Sequence, residues 1–177
     1  MTALYLIGPR GAGKSSAGLQ AAGMLGLPFV DTDRQVEQRA GWPVARIFAE
    51  DGEASFRLLE RAVLLELLAD PDEPGVVATG GGCVLDAEVR ARLRDHPAVV
   101  WLTAPVAELR QRIRGSDRPP LTGGDALAEL DELVRQREPL YHDCCSIRLE
   151  TGDLSLQQVA AAVADHYRAL TRTEGEC

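Results

Sequence analysis

The chain has 177 residues, 45% hydrophobic and 26% charged, the make-up of one ordinary globular domain with a core of its own. A net charge of −8 and a pI near 4.9 exclude a general binder of nucleic acid or anionic membrane, because an acidic surface repels phosphates. No apolar run reaches the ~20 residues that span a bilayer, and the first ten residues lack the pattern of a secretion signal, so a cytoplasmic protein is expected.

The four cysteines, Cys83, Cys144, Cys145 and Cys177, show no zinc-ligand spacing and read as reduced thiols. More informative is the cation usage: Lys14 is the sole lysine in the chain, and asparagine is absent. Arg and Lys are not interchangeable where a compact, mobile point charge is needed. Lys14 stands in Gly8-Pro9-Arg10-Gly11-Ala12-Gly13-Lys14-Ser15, a complete G-x-x-x-x-G-K-[ST] motif. Residues 3–7 before it form an apolar run suited to a buried parallel strand, and the Ala- and Leu-rich residues 15–25 after it read as a helix. In that context the glycines turn backbone amides toward phosphate oxygens, and the helix N-terminus adds positive charge at the same place. Lys14 then reaches the β- and γ-phosphates, and the Ser15 hydroxyl is placed for Mg²⁺.

Further strands are expected at 28–31, 75–79, 98–102 and 146–149, and helices at 32–40, 44–50, 54–68, 86–94, 105–114, 125–138 and 155–170. Phe56, Leu59, Val63 and Leu67 make one stripe on the long helix, and Ser155 with Gln158 forms a capping box. Strands alternating with helices define an α/β class: a single three-layer domain over residues 1–170 with a central parallel sheet of about five strands. Residues 171–177 read as a flexible tail. The stretch 115–124, rich in Gly and Pro, has no apolar periodicity and reads as a mobile loop.

A GTP switch protein is excluded, since its Asn-Lys-x-Asp motif needs residues this chain lacks. The third strand ends in Thr79-Gly80-Gly81-Gly82 without an acidic residue, so the metal's carboxylate must come from elsewhere. Asp31 and Asp33, two apart, share a face in extended geometry, one for the metal and one for an acceptor. The competing reading is a helix-capping Asp followed by an exposed one. Arg57, Glu60 and Arg61 share a helix face, which also fits a solvated ion-pair surface. Three glycines at the carboxyl edge of a parallel sheet permit close approach of a small ligand, or form a loose connection. Arg110, Arg112, Arg114 and Arg118, opposed within their own stretch only by Asp117, read as the cations of a polyphosphate lid or as a solvated helix end.

Together these residues resemble the shikimate kinase family. The matching set is the P-loop at 8–15, Asp31-Thr32-Asp33, Gly52-Glu53 with Phe56-Arg57 and Glu60, Gly80-Gly81-Gly82, Arg118-Pro119 with Leu121, and Arg137 with Leu140-Tyr141. It runs from residue 4 to about 168, and Pro120 stands where the family more often has Leu. The resemblance implies a fold like that of nucleoside monophosphate kinases, with a substrate-binding segment at 32–60 and a lid at 112–124. It implies transfer from MgATP to shikimate, a step of aromatic amino-acid synthesis, by a cytoplasmic protein expected to act as a monomer. It places Asp33, Arg57, Gly80, Gly81, Gly82 and Arg137 at shikimate. It places Gly11, Ala12, Gly13, Lys14, Ser15 and Ser16 at the ATP phosphates, with Lys14, Asp33 and Arg118 catalytic and Ser15 and Asp31 serving the metal. Arg112, or alternatively Arg110, packs on adenine. The chemistry agrees: a carboxylate substrate suits paired arginines, and Asp33 is suited to orient the attacking hydroxyl. Glu60 is read as orienting Arg57. A kinase of another polyol or of nucleoside monophosphates, and a silent nucleotide-binding protein, are the alternatives.

Overall fold

The computed structural model describes residues 2–69, 75–114 and 130–174. Five strands, β1 (Leu4–Ile7), β2 (Phe29–Asp31), β3 (Val76–Ala78), β4 (Val99–Thr103) and β5 (Ile147–Glu150), form one parallel sheet in the order β2-β3-β1-β4-β5. The helices are α1 (Lys14–Leu25), α2 (Thr32–Ala40), α3 (Val44–Glu50), α4 (Gly52–Ala69), α5 (Ala87–Arg94), α6 (Val106–Arg114), α7 (Leu130–Cys144) and α8 (Leu156–Glu174). A short 3₁₀ turn occupies Cys83–Leu85.

Both sheet faces are covered, as a parallel sheet requires. Alternate residues of one strand serve opposite layers. Leu4 and Leu6 pack with Val100, Leu102, Ala17 and Ala21 of α1, and Ala160 and Val163 of α8. Tyr5 and Ile7 pack with Trp101, Val89 and Leu93 of α5, and Tyr141 of α7. A smaller apolar cluster, Val36, Ile47, Phe56 and Val63, ties α2, α3 and α4 together. That cluster fixes the face of α4 that carries Arg57 and Glu60. β5 is an edge strand whose Arg148 and Glu150 keep it charged and solvated.

The structure departs from the expected elements at three places. Asp31 and Asp33 do not share an extended face: the chain turns into α2 at Thr32, and Asp31 caps that helix by accepting the Asp33 amide at 3.1 Å. The helix expected to stop at Glu138 runs through Pro139 to Cys144. Proline costs about 3 kcal/mol in a helix interior, but Pro139 is exposed while Tyr141 and Cys144 beyond it are buried in the core. The tail expected from 171 is helical to Glu174, since α8 packs along α1 and Arg168 donates to the Met24 carbonyl at 3.0 Å. The lid expected at 112–124 falls mostly, with Arg118, outside the described residues.

Candidate active site

The P-loop connects the central strand β1 to α1 and lies at the carboxyl edge of the sheet, where open α/β proteins bind ligands. Gly8 is pressed against β4. A Cβ there would stand 2.1 Å from the Leu102 carbonyl oxygen. Gly13, at φ 91°, turns the chain into the helix in a conformation that side chains disfavour. Lys14 is buried, and its Nζ donates to the carbonyls of Gly8 at 2.8 Å and Pro9 at 2.9 Å, so the loop wraps around the ammonium. Ser15 Oγ donates to Asp31 Oδ2 at 2.6 Å, while Oδ1 of the same carboxylate takes the Asp33 amide. Asp31 therefore joins the P-loop helix to α2. A hydroxyl, one adjacent carboxylate and phosphate oxygens are a donor set that suits Mg²⁺, which keeps several waters and needs no protein cage. No cluster of three His, Cys, Asp or Glu residues exists among the described residues to compete for it.

The second half of the site surrounds the triple glycine after β3. Thr32 Oγ1 accepts the Gly80 amide at 3.0 Å and so locks this loop to the start of α2. A Cβ on Gly80 would lie 2.2 Å from Glu60 Oε1 and 3.1 Å from Asp33 Oδ1, and one on Gly82 would lie 2.2 Å from Arg57 Nη1. Only glycines let these side chains lie on the loop. Arg57 Nη1 donates to Glu60 Oε2 at 2.6 Å, and Nη2 to Glu53 Oε1 at 2.9 Å. Burial works against the guanidinium charge, but the two carboxylates outweigh it and hold the Arg57 pKa above its ordinary value. Glu60 is 3% exposed, and its Oε1 has no hydrogen-bond partner among the described residues. Burial pushes the Glu60 pKa up, with Arg57 opposing, the nearby Asp33 adding and Arg137 also opposing. α7 brings Arg137 to the same loop, where its Nη1 donates to the Gly81 carbonyl at 3.3 Å.

The structure thus gathers Asp33, Arg57, Gly80, Gly81, Gly82 and Arg137 around Glu60, next to Lys14, Ser15 and Asp31. Gly81 makes the join: a Cβ there would stand 3.3 Å from the Arg10 amide of the P-loop. Three further residues, with no role expected from sequence, help to build the site. Glu53 was findable, lying one helical turn before Arg57. Thr32 and Tyr141 act across 48 and 60 residues of chain, which no local pattern reveals.

Arg110 and Arg112 of α6 have acidic partners outside the 110–118 stretch. Arg110 pairs with Asp131 at 2.6 Å, and Arg112 with Glu108 at 3.1 Å. Arg112 also donates to Thr151 Oγ1 and the Thr151 carbonyl, each at 3.0 Å, which ties α6 to the loop after β5. α6 packs over the P-loop, with Leu109 and Ile113 against Gly11.

This fold and site define a P-loop kinase for a small acceptor. The sequence model of the shikimate kinase family matches residues 10–168. The shikimate kinase of Thioalkalivibrio sulfidiphilus is 42% identical over 167 residues, covering 93% of this chain and 86% of that one. That of Thermobifida fusca is 41% identical, covering 93% and 94%. The structure of shikimate kinase from Acinetobacter baumannii in complex with shikimate superposes with a TM-score of 0.86 at 34% identity, over 96% and 94% of the two chains. A gluconokinase from Sinorhizobium meliloti, at 20% identity and TM-score 0.57, shares the fold alone. The chain belongs to the shikimate kinase family. It is an ATP-dependent phosphotransferase of aromatic amino-acid biosynthesis. No helix among the described residues is long and apolar enough to cross a membrane.

Proposed function

We propose that this chain phosphorylates the 3-hydroxyl of shikimate between the P-loop and the triple glycine, as a cytoplasmic monomer. The observation that carries the division of labour is the convergence of Arg57, Arg137, Asp33 and Glu60 on Gly80–Gly82, beside Lys14 and Ser15. Two guanidiniums suit a carboxylate bidentately. Glu60 and Glu53 hold Arg57 in a fixed orientation, so little freedom is lost on binding.

Asp33, at the first turn of α2, orients the attacking hydroxyl and takes its proton as the oxygen bonds to the γ-phosphorus. The bond from that phosphorus to the β–γ bridging oxygen breaks, and ADP leaves. Lys14 and the P-loop amides follow the charge as it moves to the leaving phosphate. Residues 11–16 hold the phosphates, Arg118 adds charge from the lid, and Arg112 packs on adenine. Ser15, and Asp31 through water, would hold Mg²⁺. When bound, Mg²⁺ neutralises phosphate charge and polarises the phosphoryl group.

A coupled assay of ADP release with shikimate, gluconate and AMP tests the reading. Turnover with shikimate at least a hundredfold above the other two supports it. Equal or greater turnover with gluconate or AMP contradicts it.

A further inference from the structure

Tyr141 has the features of a working part of the site. Its hydroxyl donates to the Gly81 carbonyl, the same oxygen that accepts from Arg137 Nη1. The residue is 1% exposed, and its ring stacks on Trp101 of β4 with centroids 5.8 Å apart and planes inclined by 27°. Burial pushes its pKa well above the ordinary tyrosine value, with the nearby Arg137 charge working against that rise. The hydroxyl therefore stays protonated and remains a donor throughout the working pH range.

Arg137 and Tyr141 lie one turn apart on α7, with Pro139 between them. Residues four apart on a helix share a face. Proline has no amide hydrogen, so the helix lacks one rung in the turn that carries Arg137. Backbone hydrogen bonding alone leaves the direction of that turn poorly fixed. Tyr141 supplies a fixed point on either side: the ring is held by the core, and the hydroxyl is held by the triple-glycine loop. A carbonyl oxygen has two lone pairs, and Arg137 and Tyr141 take one each.

We propose that Tyr141 is a positioning residue for shikimate. By sharing the Gly81 carbonyl with Arg137 one turn away on α7, it sets the place from which the Arg137 guanidinium meets the substrate carboxylate. This rests on the reading of Arg137 as half of the carboxylate clamp. Without the hydroxyl, the Gly81 carbonyl has only Arg137 to draw on, and the guanidinium is pulled onto the loop and away from the substrate.

Tyr141→Phe keeps the ring on Trp101 and removes only the hydroxyl. The test measures KM for shikimate, KM for ATP and kcat in wild type, Tyr141→Phe, Arg137→Ala and the double variant. The expected result is a shikimate KM raised about fivefold or more in Tyr141→Phe, with ATP KM and kcat within twofold of wild type. In the Arg137→Ala background the same change should raise shikimate KM by less than twofold, because the group it positions is gone. A shikimate KM within twofold of wild type in Tyr141→Phe, with Arg137→Ala strongly impaired, overturns the role of Tyr141 and leaves the clamp standing. An equal multiplicative loss in both backgrounds, or a parallel rise in ATP KM, makes the tyrosine a merely structural residue and overturns the proposal. If Arg137→Ala itself leaves shikimate KM unchanged, the clamp and the role of Tyr141 fall together.

Discussion

Substituting Gly82 by alanine displaces Arg57 without touching its charge. The backbone at Gly82, φ −98° and ψ 0°, is open to alanine, so the loop itself needs no rearrangement. The added methyl group would stand 2.2 Å from Arg57 Nη1, 2.4 Å from Cζ and 2.6 Å from Nη2. Carbon and nitrogen meet comfortably near ~3.5 Å, so the guanidinium must retreat by roughly 1 Å. Its bond to Glu60, 2.6 Å long and made to a carboxylate 3% exposed, cannot survive that displacement. The displaced guanidinium also loses its place on the substrate carboxylate, and a hydrogen bond to a charged group contributes about 1.5–3 kcal/mol net. A loss of about 2 kcal/mol from shikimate binding is roughly 30-fold in affinity. With ATP proposed to sit in the P-loop, ATP binding should be affected little. Steady-state ADP release with each substrate varied in turn should show shikimate KM up about 30-fold and ATP KM within twofold. A shikimate KM within threefold of wild type, or equal rises for both substrates, would refute the placement of Arg57.

Lys14→Arg should lower kcat by ~10²-fold or more, about 2.7 kcal/mol of transition-state stabilisation. The P-loop closes on a narrow ammonium 2.8 and 2.9 Å from two carbonyls, and a planar guanidinium does not fit there; a kcat within threefold of wild type would contradict this. His96 makes stability pH-dependent. Burial lowers its pKa below the ordinary histidine value, and Nδ1 accepts the Ala98 amide at 3.3 Å, which only the neutral ring can do. Between the unfolded and folded values the unfolded chain binds a proton that the native state refuses, so stability falls as pH falls through that window. Melting temperatures from pH 7.5 to 5 should drop less steeply in His96→Gln; identical slopes would remove His96 from the account.

What the sequence revealed was what short segments decide. The P-loop, its flanking strand and helix, the apolar stripe of α4 and the Ser155–Gln158 capping box depend on neighbours within a few residues. Asp31 fits both an extended pair and a helix cap on sequence alone, because a strand end and a cap present the same residue type. The expected end of a helix at 138 misses the turn beyond Pro139, which local rules disfavour and the burial of Tyr141 and Cys144 holds in place. Arg57 and Arg137 were each expected at the substrate carboxylate through family resemblance. Their seats on Gly82 and Gly81 were not, since the sheet alone brings residues 81 and 137 together. Asp131 as partner of Arg110 was hidden for the same reason.

The central claim is that Arg57 and Arg137 select shikimate by its carboxylate. Shikimate methyl ester, compared with shikimate on wild type, Arg57→Ala and Arg137→Ala, tests it most directly. Truncating one partner of a desolvated charge pair costs about 2–5 kcal/mol, so each variant should lose about 30-fold or more in kcat/KM for the acid. The ester should be a poor substrate for wild type and should lose much less in either variant, since its charge pair is already absent. An ester phosphorylated by wild type as well as the acid, or normal kcat/KM for the acid in both variants, would contradict the clamp.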